Sequence, residues 1–175
     1  MGVRDQYVAT GYVYDSRNDQ FLLLYHKKLG KWLSPGGHLN EGEQPHEGVL
    51  RELLEETGQR GRIVDPLRRP QVGTRSVPQL PAPFCILYET IPASAKSDEH
   101  MHIDFVYVLE VDSPGTLKLC PWEVEQAMWI ATEEVEGLDT FENIKRVCLA
   151  ISDCYQEKEA NINPFPSAAR TPRRG

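Results

Sequence analysis

The chain has little of what marks several protein classes. Four cysteines, Cys85, Cys120, Cys148 and Cys154, are scattered through 175 residues. None forms a C-x-x-C pair and no histidine stands behind them at finger-like spacing, which argues against a structural zinc site. Thiols so dispersed read as reduced and mostly buried, the pattern of a cytoplasmic protein. No apolar run approaches the ~18–20 residues of a membrane span, and the opening MGVRDQYVAT lacks the apolar stretch of a secretory signal. Basic charge is in deficit as well, with 19 Lys+Arg against 26 Asp+Glu and a net charge of −7. Phosphate backbones demand a basic surface, so stable nucleic-acid binding is not expected. There is no internal repeat.

What remains is an ordinary globular composition, 40% hydrophobic and 26% charged. A chain of this length buries roughly 70% of its unfolded surface as one domain. We expect that domain over residues 1–160, followed by a poorly ordered basic tail at 161–175 that carries Arg170, Arg173 and Arg174.

Strands are expected from Tyr7 to Tyr14 and from Phe21 to His26, joined by the turn signal Ser16-Arg17-Asn18-Asp19. A short extended piece at 30–37 ends in the breaker Pro35-Gly36-Gly37. A helix follows from Pro45 to Thr57, with Pro45 in its first turn, Gly58 past its end, and Val49, Leu50, Leu53 and Leu54 as its apolar stripe. Arg60–Val64, Phe84–Tyr88, Ile103–Val111 and Ala127–Ile130 read as further strands, with a connector at 92–101. Residues 66–83 hold five prolines and three arginines, which reads as a loop. A helical turn is expected at Glu133–Glu136. Asp139 with Glu142 has capping-box form, opening a helix that reaches about Glu157. Strands and two long helices that do not strictly alternate imply an α+β fold, or an α/β/α sandwich on a mixed sheet.

Acid is concentrated in two segments. Residues 41–59 are net −5 and residues 121–142 are net −7, leaving the rest net positive. In the first, Glu52, Glu55 and Glu56 stand at i, i+3 and i+4 of the expected helix, on one side and near its C-terminus. Like charges one turn apart repel, and the C-terminal end of the helix dipole disfavours anions. A hard divalent cation removes both penalties. Mg²⁺ takes carboxylates, water and phosphate oxygens, and Mn²⁺ accepts a similar shell. Arg51 is placed to pair with Glu43 in the preceding loop, a structural role more than a catalytic one, and both stand with Glu52, Glu55 and Glu56 as candidate catalytic residues.

Gly37, five residues, Glu43, seven residues and then Arg51-Glu52-Leu53-Leu54-Glu55-Glu56-Thr57-Gly58 resembles the Nudix box. Eight of its nine specified positions match; Gln59 stands where an aliphatic residue is usual. The hairpin before the box and the long helix near the end also look like that fold, a mixed sheet flanked by the box helix and a C-terminal helix. The resemblance implies hydrolysis of a nucleoside diphosphate linked to another group, dependent on Mg²⁺ or Mn²⁺. It implies Glu52, Glu55 and Glu56 as metal ligands, with a backbone carbonyl at Gly36 or Gly37. Either Glu52 or Glu56 is placed to hold or deprotonate the attacking water. The competing class is a Nudix-fold module that binds or senses a nucleotide without turning it over. Relatives often form homodimers.

Other candidates carry two readings each. Family members often place a further carboxylate before a Trp-containing strand. Here Glu125 or Glu123 would serve, or both are solvated. His38 follows the glycine pair and could touch phosphate or fix its loop. Arg69, with Arg68 and Arg75, could hold substrate phosphates or simply face solvent. His102 and Asp104 share a strand face by period two, and a hydrogen-bonded structural pair is the simpler expectation.

Overall fold

The computed structural model describes residues 5–94, 98–111 and 116–162, with side chains through 157. The strands are β1 (Asp5–Asp15), β2 (Gln20–His26), β3 (Lys31–Leu33), β4 (Gly36–His38), β5 (Gly61–Val64), β6 (Cys85–Ile91), β7 (His100–Val111) and β8 (Val124–Ala131). The helices are α1 (Pro45–Thr57) and α2 (Glu142–Ile162), with a 3-10 turn at Thr132–Gly137 between β8 and α2. The strands form one mixed sheet. β1 runs at its centre, antiparallel to β2 and β4 and parallel to β7. β3 and β8 pair with β2, while β5 and β6 pair with successive parts of β7.

Period-two alternation along β1 and β7 builds two cores. Ala9, Val13, Tyr107 and Leu109 meet Val49 and Leu53 of α1 on one face. Tyr12, Tyr14, Val106 and Val108 meet Ile144, Val147, Cys148 and Ile151 of α2 on the other. Helices thus cover both faces of the sheet, as the patterning implies. Asp19, in the β1–β2 turn, ties the second layer together. Its Oδ1 accepts hydroxyl hydrogen bonds from Tyr14, Thr132 and Ser152 at 2.6–2.9 Å.

α1 has the expected bounds. The Glu47 carboxylate accepts from the Gln44 N–H, and Gly58 closes the helix at φ 69°, a left-handed conformation that glycine adopts without a Cβ penalty. Its buried face is narrower in leucine than the stripe suggests: Leu54 is exposed, and Glu56 and Thr57 are buried instead. Gln59 is buried too, its side chain donating to the Thr116 carbonyl.

Several expectations are corrected. Gly36 and Gly37 do not break the chain but form β4, because a residue without a side chain can lie this close to β1. A Cβ on Gly36 would stand 2.7 Å from the Ala9 carbonyl oxygen. Asp139 does not cap α2. Its carboxylate takes the Lys31 ammonium instead, and the helix begins at Glu142. The connector at 92–101 is shorter than expected, since β6 runs on to Ile91 and β7 starts at His100. α2 extends to Ile162, and residues 163–175 of the expected tail lie outside the described residues. The cysteines are less buried than expected: Cys148 is buried, while Cys85, Cys120 and Cys154 are only partly so.

Candidate active site

The site is assembled where α1 crosses β4. Gly37 is the close-approach point. A Cβ there would stand 2.5 Å from Oε1 of Glu52, so only glycine lets this strand meet the helix carboxylate. One residue earlier, the Gly36 N–H donates to Oε2 of Glu56 at 2.9 Å. Glu56 is only 6% exposed. Burial pushes its carboxyl up to about 8, against the Gly36 hydrogen bond, and the charges of Glu52, Glu123 and Glu55 push the same way. Burial also raises Glu52, although Arg51 opposes it. Glu55, one turn before Gly58, has a side chain 58% exposed. The three box carboxylates therefore differ: one buried, one half-buried and one in solvent.

Arg51 holds the frame. Its Nε and Nη2 donate to the two carboxylate oxygens of Glu43, each at 2.8 Å, and Nη2 also reaches the His38 carbonyl at 3.0 Å. Nη1 contacts Glu52 at 2.7 Å and Glu55 at 3.2 Å. One guanidinium thus ties the 39–43 loop, the end of β4 and the helix together, as its planar fork allows. Glu43 secures the loop further, accepting from the Asn40 N–H at 2.9 Å.

These hydrogen bonds hold the Glu43 carboxyl at about 2, below its ordinary 4.5. The folded state binds that proton less tightly than the unfolded chain does. The pair therefore stabilises fully above pH 4.5 and is lost as pH falls toward 2. With its side chain 13% exposed, Glu43→Gln is expected to cost on the order of 2–3 kcal/mol at pH 7, and less with each step into acid. Denaturant unfolding of both proteins between pH 2 and 7 measures this.

The oxygen-only donor set suits a hard divalent cation: glutamate carboxylates, plus main-chain carbonyls at the Gly36–Gly37 close approach. Among the described residues no three acidic, histidine or cysteine side chains already converge on a metal position. Arg51 supplies the positive charge between Glu52 and Glu55 instead.

Of the two later acids, Glu123 is the one whose charge reaches Glu52 and Glu56. Glu125 is exposed, beside an irregularity where β8 shifts register against β2 between Tyr25 and His26. That extra residue defeats a period-two count, so the sequence alone could not choose between them. His38 is exposed. Its Nε2 meets Oε1 of Gln6 at 2.7 Å, and its ring packs on His102 at 4.9 Å between centroids. A cavity of about 400 Å³ opens here, lined by Gln6, Tyr7, His38, Asn40 and Glu43 among others. Arg69 is committed to its own loop, on Asp65 at 3.1 Å and the Phe84 carbonyl at 3.0 Å.

His102 and Asp104 are not hydrogen-bonded to each other. The Thr10 hydroxyl donates to Oδ2 of Asp104 at 2.9 Å, while Asp104 Oδ1 and His102 Nε2 are buried without a partner. Burial pushes Asp104 up to about 7, with the Glu89 charge adding to it against the Thr10 bond. Burial and the neighbouring His38 and His100 push His102 down to about 4, so it is neutral near pH 7.

The chain is similar in sequence and in fold to known proteins. An 8-oxo-dGTP diphosphatase of Proteus vulgaris is 36% identical over 61 residues, 33% of this chain and 54% of that protein. A Nudix hydrolase of Bacillus subtilis, YvcI, is 44% identical over 41 residues, 23% of this chain and 26% of that protein. The matched segments thus span from about a quarter to about half of these relatives. Among solved structures, a NUDIX-family hydrolase from Clostridium perfringens superposes with a TM-score of 0.67 at 22% identity, covering 89% of this chain and 99% of that one. Among the described residues no helix is long and apolar enough to cross a membrane. The NUDIX domain profile matches residues 5–150, and the chain belongs to the Nudix family.

Proposed function

We propose that the protein hydrolyses the diphosphate linkage of a small nucleoside diphosphate derivative, with Mg²⁺ or Mn²⁺ held by Glu52, Glu55, Glu56 and the Gly37 carbonyl. One observation carries the reading. A buried Glu56, crowded by Glu52, Glu55 and Glu123, is an arrangement that favours bound positive charge. Bound there, the cation would neutralise the diphosphate and lower the pKa of a water. The chain's own residues do the rest. The Gly36 N–H fixes one oxygen of Glu56, leaving the other to ligate or to take a proton. Arg51 and Glu43 hold the loop after β4, so the carboxylates are positioned before substrate arrives. Glu123 is the further carboxylate, in preference to Glu125. The similarity to an 8-oxo-dGTP diphosphatase supports a nucleotide substrate.

A panel of nucleoside triphosphates, nucleotide sugars, ADP-ribose and dinucleoside polyphosphates, assayed with Mg²⁺, with Mn²⁺ and with EDTA, tests this. Turnover of at least one member that stops in EDTA is expected. Binding of a nucleotide with no turnover in either metal would favour the binding-module alternative.

A further inference from the structure

The sheet face opposite α1 carries polar groups that neither the core nor the carboxylate site uses. Four adjacent strands set their positions. Across β4, β1, β7 and β6, His38, Val8, Asp104 and Leu87 lie in one row. Gln6, His102 and Glu89 lie in the next. Residues in register across paired strands share a face, so His38, Asp104, His102 and Glu89 all project on the α2 side. The face begins at His38, one residue beyond Gly37, whose opposite side meets Glu52.

This cluster is unfinished. Asp104 is 5% exposed, yet one of its carboxyl oxygens has no partner. A buried acceptor left unsatisfied destabilises the fold, and a ligand's N–H would relieve it. Beside it, Glu89 receives Asn143, from the first turn of α2, on Oε1 at 2.6 Å. The charge is one-sided. Arg69, the cation whose field reaches neighbouring Cys85, is already held by Asp65 and the Phe84 carbonyl. Such a face repels a phosphate and suits an uncharged group that donates hydrogen bonds.

We propose that Asp104 and Glu89 read the nucleobase of the substrate and select a base bearing an exocyclic amino group over its oxo or unsubstituted counterpart. The inference rests on the nucleotide reading above and deepens it by naming the part of the substrate that this face takes. A site built to accept a hydrogen bond discriminates strongly against an analogue lacking the donor.

Matched pairs of nucleoside monophosphates test it by calorimetry in EDTA: CMP against UMP, GMP against IMP and AMP against IMP. At least one amino-bearing member is expected to bind about tenfold more tightly than its partner, the worth of one hydrogen bond. Asp104→Leu, which has no acceptor at that place, should bring that ratio to near one. Equal binding within all three pairs would overturn the proposal. So would a ratio that survives both Asp104→Leu and Glu89→Leu. If Asp104→Leu does not fold, Glu89→Leu on edge strand β6 decides alone. The readout needs neither metal nor turnover. Selective binding without hydrolysis would refute the hydrolase reading and leave this one standing, and unselective hydrolysis would do the reverse.

Discussion

Glu56→Gln should abolish most turnover while leaving the fold intact. Glutamine keeps the shape and can still accept the Gly36 N–H. It removes a buried carboxylate that the native chain keeps at a cost, since burial and three neighbouring acids oppose its ionisation. The unfolding midpoint is therefore expected to stay level or rise. The rate should fall by about 10²–10⁴-fold, the range typical of losing a positioned acid–base group. Lost metal affinity would add to this, and raising Mg²⁺ would recover only that part. Rate and melting temperature measured on the same preparation separate the two effects. A variant that melts as the parent does and hydrolyses as fast would remove Glu56 from the mechanism.

Gly37→Ala carries the second large effect, reached by geometry alone. The added methyl would lie 2.5 Å from Glu52 Oε1 and 2.7 Å from its Cδ. Those atoms are the far end of a flexible side chain, so the carboxylate can swing aside and the protein should lose little stability. The displaced group is a proposed ligand, however. A shift of about 1 Å at a reacting centre is enough to cost about 10²-fold in rate. The expected signature is thus a near-normal melting temperature with a loss of roughly two orders of magnitude in kcat/KM. A large loss of stability with proportionate activity would instead mean that the glycine serves packing only.

These two positions show what the sequence makes visible and what it does not. Glu52, Glu55 and Glu56 are legible because helical spacing is rigid. The helix bounds follow from Pro45 and Gly58, and the Arg51–Glu43 pair follows from a loop of known length. What spacing does not convey is burial. The three carboxylates look equivalent along the chain, yet Glu56 is buried and Glu55 faces solvent, because the helix is turned so that Val49, Leu53, Glu56 and Thr57 face the sheet. β4 is illegible for a different reason. Two glycines after a proline have the composition of a turn, and only the approach to Ala9 and Thr10 makes them a strand. Asp139 shows competition between local and distant partners: its capping form is real, but Lys31 takes the carboxylate. For His102 and Asp104 the shared face follows from parity, whereas the Thr10 hydroxyl that reaches Asp104 is 94 positions away.

The proposed reaction is attack of water on a diphosphate, organised by the α1 carboxylates and β4. Turnover of the best substrate in H₂¹⁸O, with Mg²⁺ and with EDTA, tests it most directly. One ¹⁸O is expected in a phosphate-bearing product with Mg²⁺, none with EDTA, and little or none with Glu56→Gln. Label that appears equally in EDTA, or a nucleotide bound unchanged and unlabelled by parent and variant alike, would contradict it.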